Sequence, residues 1–342
     1  MIWEHWWLLL CALPLSKSDN EASFFSRHCS VAGADVVCSC HGNPELTIHG
    51  LQSWLPEGCS TLTVTDCRQS RVRFAGSGEE TIIHHLQQMT FSDIHELIID
   101  KSSVDFDVRH SGVFIMTVLR VTQLTLSRGS IRLSGAASAV VFSDVWSTAL
   151  PSFSIESTSL KLLRLNGVRF TGLVAASAVI LQSPGAVVEV IEVDGHVGFQ
   201  AGWVHGRISS LVIRRSKLAL YPGAFNRLNF VDIFVQSISL HDNVFWFHEN
   251  IILGPNLSKE HEESNMWVNA SGNTISCSTV THGNKTTVSK LTCIFYASSS
   301  CLEPDEVLLV PSVCRVNETV VTEEPPANAT RSRHEFVYSI SL

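Results

Sequence analysis

The chain has few charged residues and no concentrated block of positive charge. Charged side chains make up 16% of the 342 residues, and the formal net charge is -8. Because nucleic acids and anionic membrane surfaces are bound by clustered Lys and Arg, this composition argues against both as main partners. The hydrophobic fraction of 45% is too high for a disordered chain, so we expect a large buried core.

The motifs of common catalytic and metal sites are also missing. Four His-Glu pairs occur, but none is followed by a second His at the spacing that a zinc-protease helix requires. His84 and His85 have no Cys-x-x-Cys beside them, and Gly76-Ser77-Gly78 lacks the lysine of a phosphate-binding loop. The sequence therefore predicts no enzyme activity, no metal and no cofactor.

Beyond the amino terminus, no stretch reaches the roughly 18 uninterrupted apolar residues of a membrane span. The terminus itself holds a shorter apolar run, from Trp6 to Leu15, followed by Ser16-Lys17-Ser18 with small residues where a signal peptidase reads. We interpret residues 1–18 as a signal peptide, although no Lys or Arg precedes the apolar run. The mature protein is then expected to be secreted or extracellular, without a transmembrane span.

Cysteines are absent between residues 68 and 276 and cluster on either side of this gap. In a secreted chain, such clusters predict disulfides near both ends. Glycosylation sequons occur only beyond residue 250 and predict a glycosylated carboxy-terminal third. They are at Asn256, Asn269, Asn284, Asn317 and Asn328.

The middle of the chain contains a recurring apolar pattern, L-x-x-L-x-L. Anchors two residues apart point to one face of a strand, so stacked copies predict a β-rich solenoid with a parallel sheet over residues 59–250. The starts of the copies lie between 20 and 39 residues apart. They are Cys59, Ile94, Val121, Leu160, Val188, Ile208 and Phe230.

The fullest copy runs from Ile208 to Leu228 and contains Pro222-Gly223-Ala224-Phe225 after its strand. With this segment and its cysteine clusters, the chain resembles extracellular leucine-rich repeat proteins with cysteine-rich caps. One departure is the asparagine that this family places three residues after the third anchor, which is missing from all seven copies.

The resemblance also implies how the cysteines and the ends of the chain are used. It predicts an amino-terminal cap over residues 29–67, a carboxy-terminal cap over residues 251–320, and Cys67 as the unpaired cysteine. Residues 321–342 are polar and predict a disordered tail. The half-cystines of the two caps would be Cys29, Cys38, Cys40 and Cys59, and Cys277, Cys293, Cys301 and Cys314.

A second architecture also fits the sequence. Strand-like pieces at 139–142 and 153–155 suit a right-handed parallel β-helix, which has several strands in each coil. In that fold, Glu192 and Asp194 are candidates for the two carboxylates of a carbohydrate-active enzyme.

The leucine-rich repeat resemblance implies a recognition, adhesion or receptor-ectodomain function, with an extracellular protein or glycan bound on the concave sheet. We expect Arg164 and Arg214 to flank Glu192 and Asp194 on neighbouring strands. A structural secreted protein without a specific ligand is the other alternative. The predicted binding residues are Arg164, Glu192, Asp194, Arg214, Asp232 and Phe234.

Overall fold

A computed structural model describes residues 27–49, 55–56, 58–76, 80–221, 223–224, 228–230, 236–247, 266–277, 299–302 and 305. Over these residues the chain forms a β-solenoid of about eight turns, which confirms the predicted β-rich solenoid. Several predictions lie outside the described residues: the signal peptide and the tail at 321–342. So do Asp232, Phe234, Cys293, Cys314 and every sequon except Asn269.

The described part of the chain contains 24 strands. They are β1 (Cys29–Ala32), β2 (Asp35–Ser39), β3 (Glu45–His49), β4 (Thr61–Thr65), β5 (Cys67–Ala75), β6 (Thr81–Ile83), β7 (Gln88–Ile99), β8 (Val104–Val108), β9 (Phe114–Leu126), β10 (Ile131–Gly135), β11 (Ser138–Ser147), β12 (Ile155–Ser157), β13 (Leu160–Asn166), β14 (Arg169–Phe170), β15 (Val179–Ile191), β16 (Asp194–Phe199), β17 (Val204–Arg214), β18 (Lys217–Leu220), β19 (Leu228–Phe230), β20 (Gln236–His241), β21 (Val244–Phe247), β22 (Met266–Ser271), β23 (Asn273–Ile275) and β24 (Ser299–Cys301).

β1 pairs antiparallel with β2, and the other strands pair in three parallel ladders, which we call the first, second and third sheets. The first sheet runs from β2 and β4 through β13 to β20 and β22. The second runs from β3 and β5 through β14, β16 and β18 to β24, and the third from β6 and β8 to β19. Long strands such as β7, β9 and β11 continue from the first sheet into the second.

The turns contain several strands each, as the β-helix alternative predicted. Residues 139–142 do lie in β11, whereas only Ile155 of the piece at 153–155 belongs to a strand. Membership of the leucine-rich repeat family stays a prediction.

The repeat is more regular than the sequence pattern suggested. In the first sheet, each turn points a pair of apolar side chains inward, and these pairs start 23 to 27 residues apart rather than 20 to 39. The copies predicted at Ile94 and Val121 were assigned to the wrong ladder, because their later anchors lie in the second sheet. The inward pairs start at Leu62, Met89, Met116, Val140, Leu163, Val188 and Leu211.

One predicted copy is out of register as well. Val188 and Val190 are fully buried, whereas Ile191 is only half-buried, so the apolar pair of this turn starts at the first predicted anchor itself. The pairing of Val188 with Leu211 and of Val190 with Ile213 gives the physical reason, since side chains in register on neighbouring strands share one face.

A residue with positive φ turns the chain from the first sheet into the second in turn after turn. The φ angles of these residues lie between 49° and 65°, a region that Asp and Gly adopt more readily than most other residues. We call this row the first corner. It consists of Asp66, Asp93, Arg120, Asp144, Gly167, Glu192, Arg215, Asp242 and Gly272.

The residue after each first-corner position is buried, and at the carboxy-terminal end of the solenoid it is an asparagine. Asn243 donates from Nδ2 to the carbonyl of Ile213 and to Oδ1 of Asn273, both at 3.0 Å. Its own Oδ1 accepts from the amide of Ser216 at 2.9 Å. Asn243 stands three residues after the inward Leu240, so the prediction that this asparagine is missing from every copy was wrong.

The disulfides stay within the two predicted clusters but use a different set of cysteines. Cys29 pairs with Cys38, Cys40 with Cys67, and Cys277 with Cys301. Cys67 was expected to be the unpaired one, but it points inward from β5 directly above Cys40 of the previous turn, with 5.2 Å between their Cα atoms.

Cys59, which was expected to be a half-cystine, is instead a buried thiol. It lies in no disulfide among the described residues, and its Sγ donates to the carbonyl of Thr61 at 3.1 Å. The parallel ladders already begin with β2 and β3, so the predicted amino-terminal cap contains a turn of the solenoid itself.

Candidate functional site

The predicted binding residues are divided between two sheets and the corner that joins them. Arg164 lies in the first sheet, and its Nε contacts the carboxylate of Glu189 at 2.5 Å, not that of Glu192. Arg214 is exposed and is the last residue of β17, where it lies in register with Ile191 of β15. The predicted flanking of Glu192 and Asp194 by these two arginines on neighbouring strands is therefore wrong.

Glu192 and Asp194 leave the first sheet altogether. Glu192 is a first-corner residue whose carboxylate contacts the guanidinium of Arg215 at 2.8 Å. Asp194 begins β16 in the second sheet, where it lies between Arg169 and Lys217 of the neighbouring turns. The positive φ of Glu192 sends the chain around the corner, which is why two residues so close in sequence end on different surfaces.

Asp194 belongs to a row of exposed or partly exposed side chains on the outer face of the second sheet. Trp146, Arg169, Asp194 and Lys217 are in register on four successive turns, and we call them the second-sheet strip. At about 4.8 Å between strands, the strip is roughly 14 Å long. Trp146 is 50% exposed, the largest value among the exposed large hydrophobic residues of the described chain.

The core fixes the direction in which the strip points. Val145 and Ser147 on either side of Trp146 are buried, and so are Val168 and Phe170 on either side of Arg169. Because side chains alternate between the two faces of a strand, burial of these neighbours holds the intervening tryptophan and arginine outward.

Contacts link the members of the strip to one another. The guanidinium carbon of Arg169 lies 4.9 Å from the centre of the Trp146 ring, within the range of a cation–π interaction. Nε of Arg169 is 3.6 Å from Oδ2 of Asp194, and Oδ1 of Asp194 lies 2.8 Å from Nδ1 of His196. Lys217 is exposed and has no carboxylate within 4.0 Å in the described part of the chain.

A second aromatic side chain lies beside the strip, where Gly198 makes room for it. Gly198 has a φ of 134°, and a Cβ atom there would lie 2.7 Å from the ring of Tyr221 and 3.3 Å from Leu173. Tyr221 is partly exposed and Leu173 is 38% exposed. Since His196 lies two residues before this glycine, the surface continues from Asp194 along β16 to Tyr221.

Some members of the first corner neutralise one another's charges. Asp93 contacts Arg120 at 2.7 Å and Arg68 at 2.9 Å, and Glu192 contacts Arg215. The hydrogen bond from Arg120 is the main reason that the pKa of Asp93 lies below its ordinary value. These paired groups offer a ligand little free charge, whereas Asp66, Asp144 and Asp242 form no ion pair in the described part of the chain.

The second-sheet strip combines polar groups with an aromatic side chain, which the first corner does not contain. Arg169, His196 and Lys217 carry hydrogen-bond donors, Asp194 is an acceptor, and Trp146 presents part of an aromatic face. In the described residues no group of three or more metal-ligating side chains comes together.

Sequence reasoning missed most of this strip, although a signal was present. Its four residues are 23, 25 and 23 apart, which is the true period of the solenoid. The apolar pattern L-x-x-L-x-L mixes strands of the second sheet with strands of the first, so Trp146, Arg169 and Lys217 do not align in it.

Comparison with known proteins does not add a relative: the chain matches no family model, no curated protein and no solved structure. None of the described segments forms a helix long and apolar enough to cross a membrane.

Proposed function

We propose that the protein is a secreted or cell-surface recognition module that binds its partner through the second-sheet strip. The signal-like amino terminus and the sequons of the sequence support an extracellular location, and disulfides within both cysteine clusters are consistent with it. The strip replaces the first sheet as the proposed binding surface, because Arg164 of the first sheet is held closely by Glu189, at 2.5 Å, whereas Arg169 of the strip lies 3.6 Å from Asp194 and stacks on an exposed tryptophan.

The observation that carries this proposal is the exposure of Trp146. A tryptophan with half of its surface in water lacks part of the hydrophobic stabilisation that full burial of its large apolar ring would give. Tryptophan and arginine are also the residues most often found at the energetic centres of binding surfaces. Here they stack on each other in the middle of an exposed sheet.

A carbohydrate-active enzyme is the less supported alternative. Glycoside cleavage needs two carboxylates on either side of one bond. Glu192 and Asp194 do not face one another across a common strand surface, and each contacts an arginine, Arg215 and Arg169 respectively. This arrangement favours binding without catalysis.

The test is binding of the labelled, secreted full-length protein to intact cells, measured by flow cytometry. Trp146→Ala removes the exposed ring, and Ile82→Ala is the matched control because Ile82 is a similarly exposed apolar residue of the third sheet, at 41%. We expect the tryptophan variant to lose binding about tenfold or more and the isoleucine variant to bind like the wild type. Equal binding by both variants would exclude the strip as the binding surface.

A further inference from the structure

We infer that the ligand of the second-sheet strip is a neutral oligosaccharide with vicinal hydroxyl groups. This inference rests on the proposed function and specifies the chemistry of the partner. It follows from three properties of the strip: the alternation of its polar groups, its aromatic faces and its balance of charge.

The polar groups of the strip alternate between donor and acceptor. Arg169 donates, Asp194 accepts and Lys217 donates, at about 4.8 Å from one strand to the next. A sugar hydroxyl both donates and accepts, and neighbouring hydroxyls on a pyranose ring can engage a carboxylate and a cationic donor together. An extended pyranose chain advances by a similar distance per sugar, so successive rings can meet successive strands.

Two aromatic side chains lie at separate places on this surface. The ring of Trp146 remains half exposed beside Arg169, and the ring of Tyr221 lies over Gly198 three turns further on. Pyranose rings have one or two faces made of C–H groups, which pack on an aromatic ring while their hydroxyls reach the polar groups beside it. The strip therefore combines a stacking surface with hydrogen-bonding partners.

The charges around the strip are balanced and give no preference for an anionic ligand. Arg169 and Lys217 are the cations of the strip, and Asp194 lies between them. In the same four turns, the first corner adds one cation and two carboxylates. These corner residues are Arg215, Asp144 and Glu192. A sulfated or sialylated glycan would meet at least as many negative as positive groups, whereas a neutral glycan meets no repulsion.

The experiment uses the full-length secreted protein on an array of neutral, sialylated and sulfated oligosaccharides. We expect binding to neutral members, with little change between about 0.1 M and about 1 M salt because no net charge is neutralised. Trp146→Ala should weaken it about tenfold, Trp146→Phe should keep most of it, and Ile82→Ala should leave it unchanged. Asp194→Asn, which keeps the side-chain shape, should weaken it as well. Binding confined to sulfated or sialylated members would overturn the inference.

A parallel cell-binding measurement separates failure of this inference from failure of the proposed function. Cells are treated with periodate, which cleaves vicinal diols, or left untreated, and the binding of wild type and Trp146→Ala is compared. Loss of Trp146-dependent binding after periodate supports a glycan ligand. Retention of Trp146-dependent binding after periodate shows that the ligand needs no vicinal diol, which refutes the proposed glycan but keeps the recognition module. Absence of Trp146-dependent binding to untreated cells refutes both.

Discussion

Replacement of Asn243 by alanine should destabilise the solenoid far more than the loss of one polar side chain on its surface. Asn243 is fully buried, and its amide joins three successive turns through hydrogen bonds to Ser216, Ile213 and Asn273. In the alanine variant, the Ser216 amide and the Ile213 carbonyl lose their side-chain partner, and both residues are buried. Each such group costs about 1–3 kcal/mol, so we expect a loss of about 3 kcal/mol in the free energy of unfolding.

Asn166→Ala is the matched control for this prediction. Asn166 is also an asparagine of the solenoid, but it is only half-buried and donates one hydrogen bond, to Ser143 Oγ at 3.2 Å, whose hydroxyl can turn to another acceptor. We expect it to cost less than about 1 kcal/mol. Urea unfolding measures both values, and hydrogen exchange should show faster exchange of the Ser216 amide in Asn243→Ala alone. If the two variants are equally stable, the ladder of buried asparagines does not hold the turns together.

Three further predictions test the register, the corner and the cysteines. A double-mutant cycle between Arg164 and Glu189 should give a coupling of up to about 1 kcal/mol, and its absence would contradict their pairing. The depressed pKa of Asp93 beside Arg120 stabilises the folded state above the unfolded value of about 3.9, and this stabilisation is lost as the pH falls through the folded value. Asp93→Asn should therefore be less stable than the wild type at neutral pH, with the difference shrinking in acid, and a constant difference in urea unfolding at all pH values would refute it. The Cys59 thiol should react with a thiol reagent only after unfolding, and peptide mapping that finds it labelled in the native protein would contradict its burial.

The fold class could be predicted from sequence because a strand period of two and a recurring apolar pair are local properties. Leu62, Leu163 and Leu211 stand out as apolar positions and are all buried in the structure. The ladder to which a strand belongs is not a local property. Leu97 looks like a copy of Leu62 in the sequence, yet it pairs with Val72 in the second sheet.

The corner explains why the candidate site was only partly predicted. A leucine-rich pattern does not predict that Glu192 adopts a φ of 55°, because glutamate is not a residue that favours the left-handed region. Without that turn, Asp194 appears to continue the first sheet beside Arg164 and Arg214. With it, Asp194 joins Arg169 and Trp146 on a different surface.

The most direct test of the proposed binding surface is oxidative footprinting of the full-length protein, free and bound to cells. Hydroxyl radicals modify exposed aromatic side chains, and Trp146 is half exposed in the solenoid. We predict that oxidation of Trp146 and His196 falls several-fold on binding, while that of Ile82 on the third sheet does not change. Unchanged oxidation of Trp146 in the bound protein, with protection of another face, would contradict recognition through the second-sheet strip.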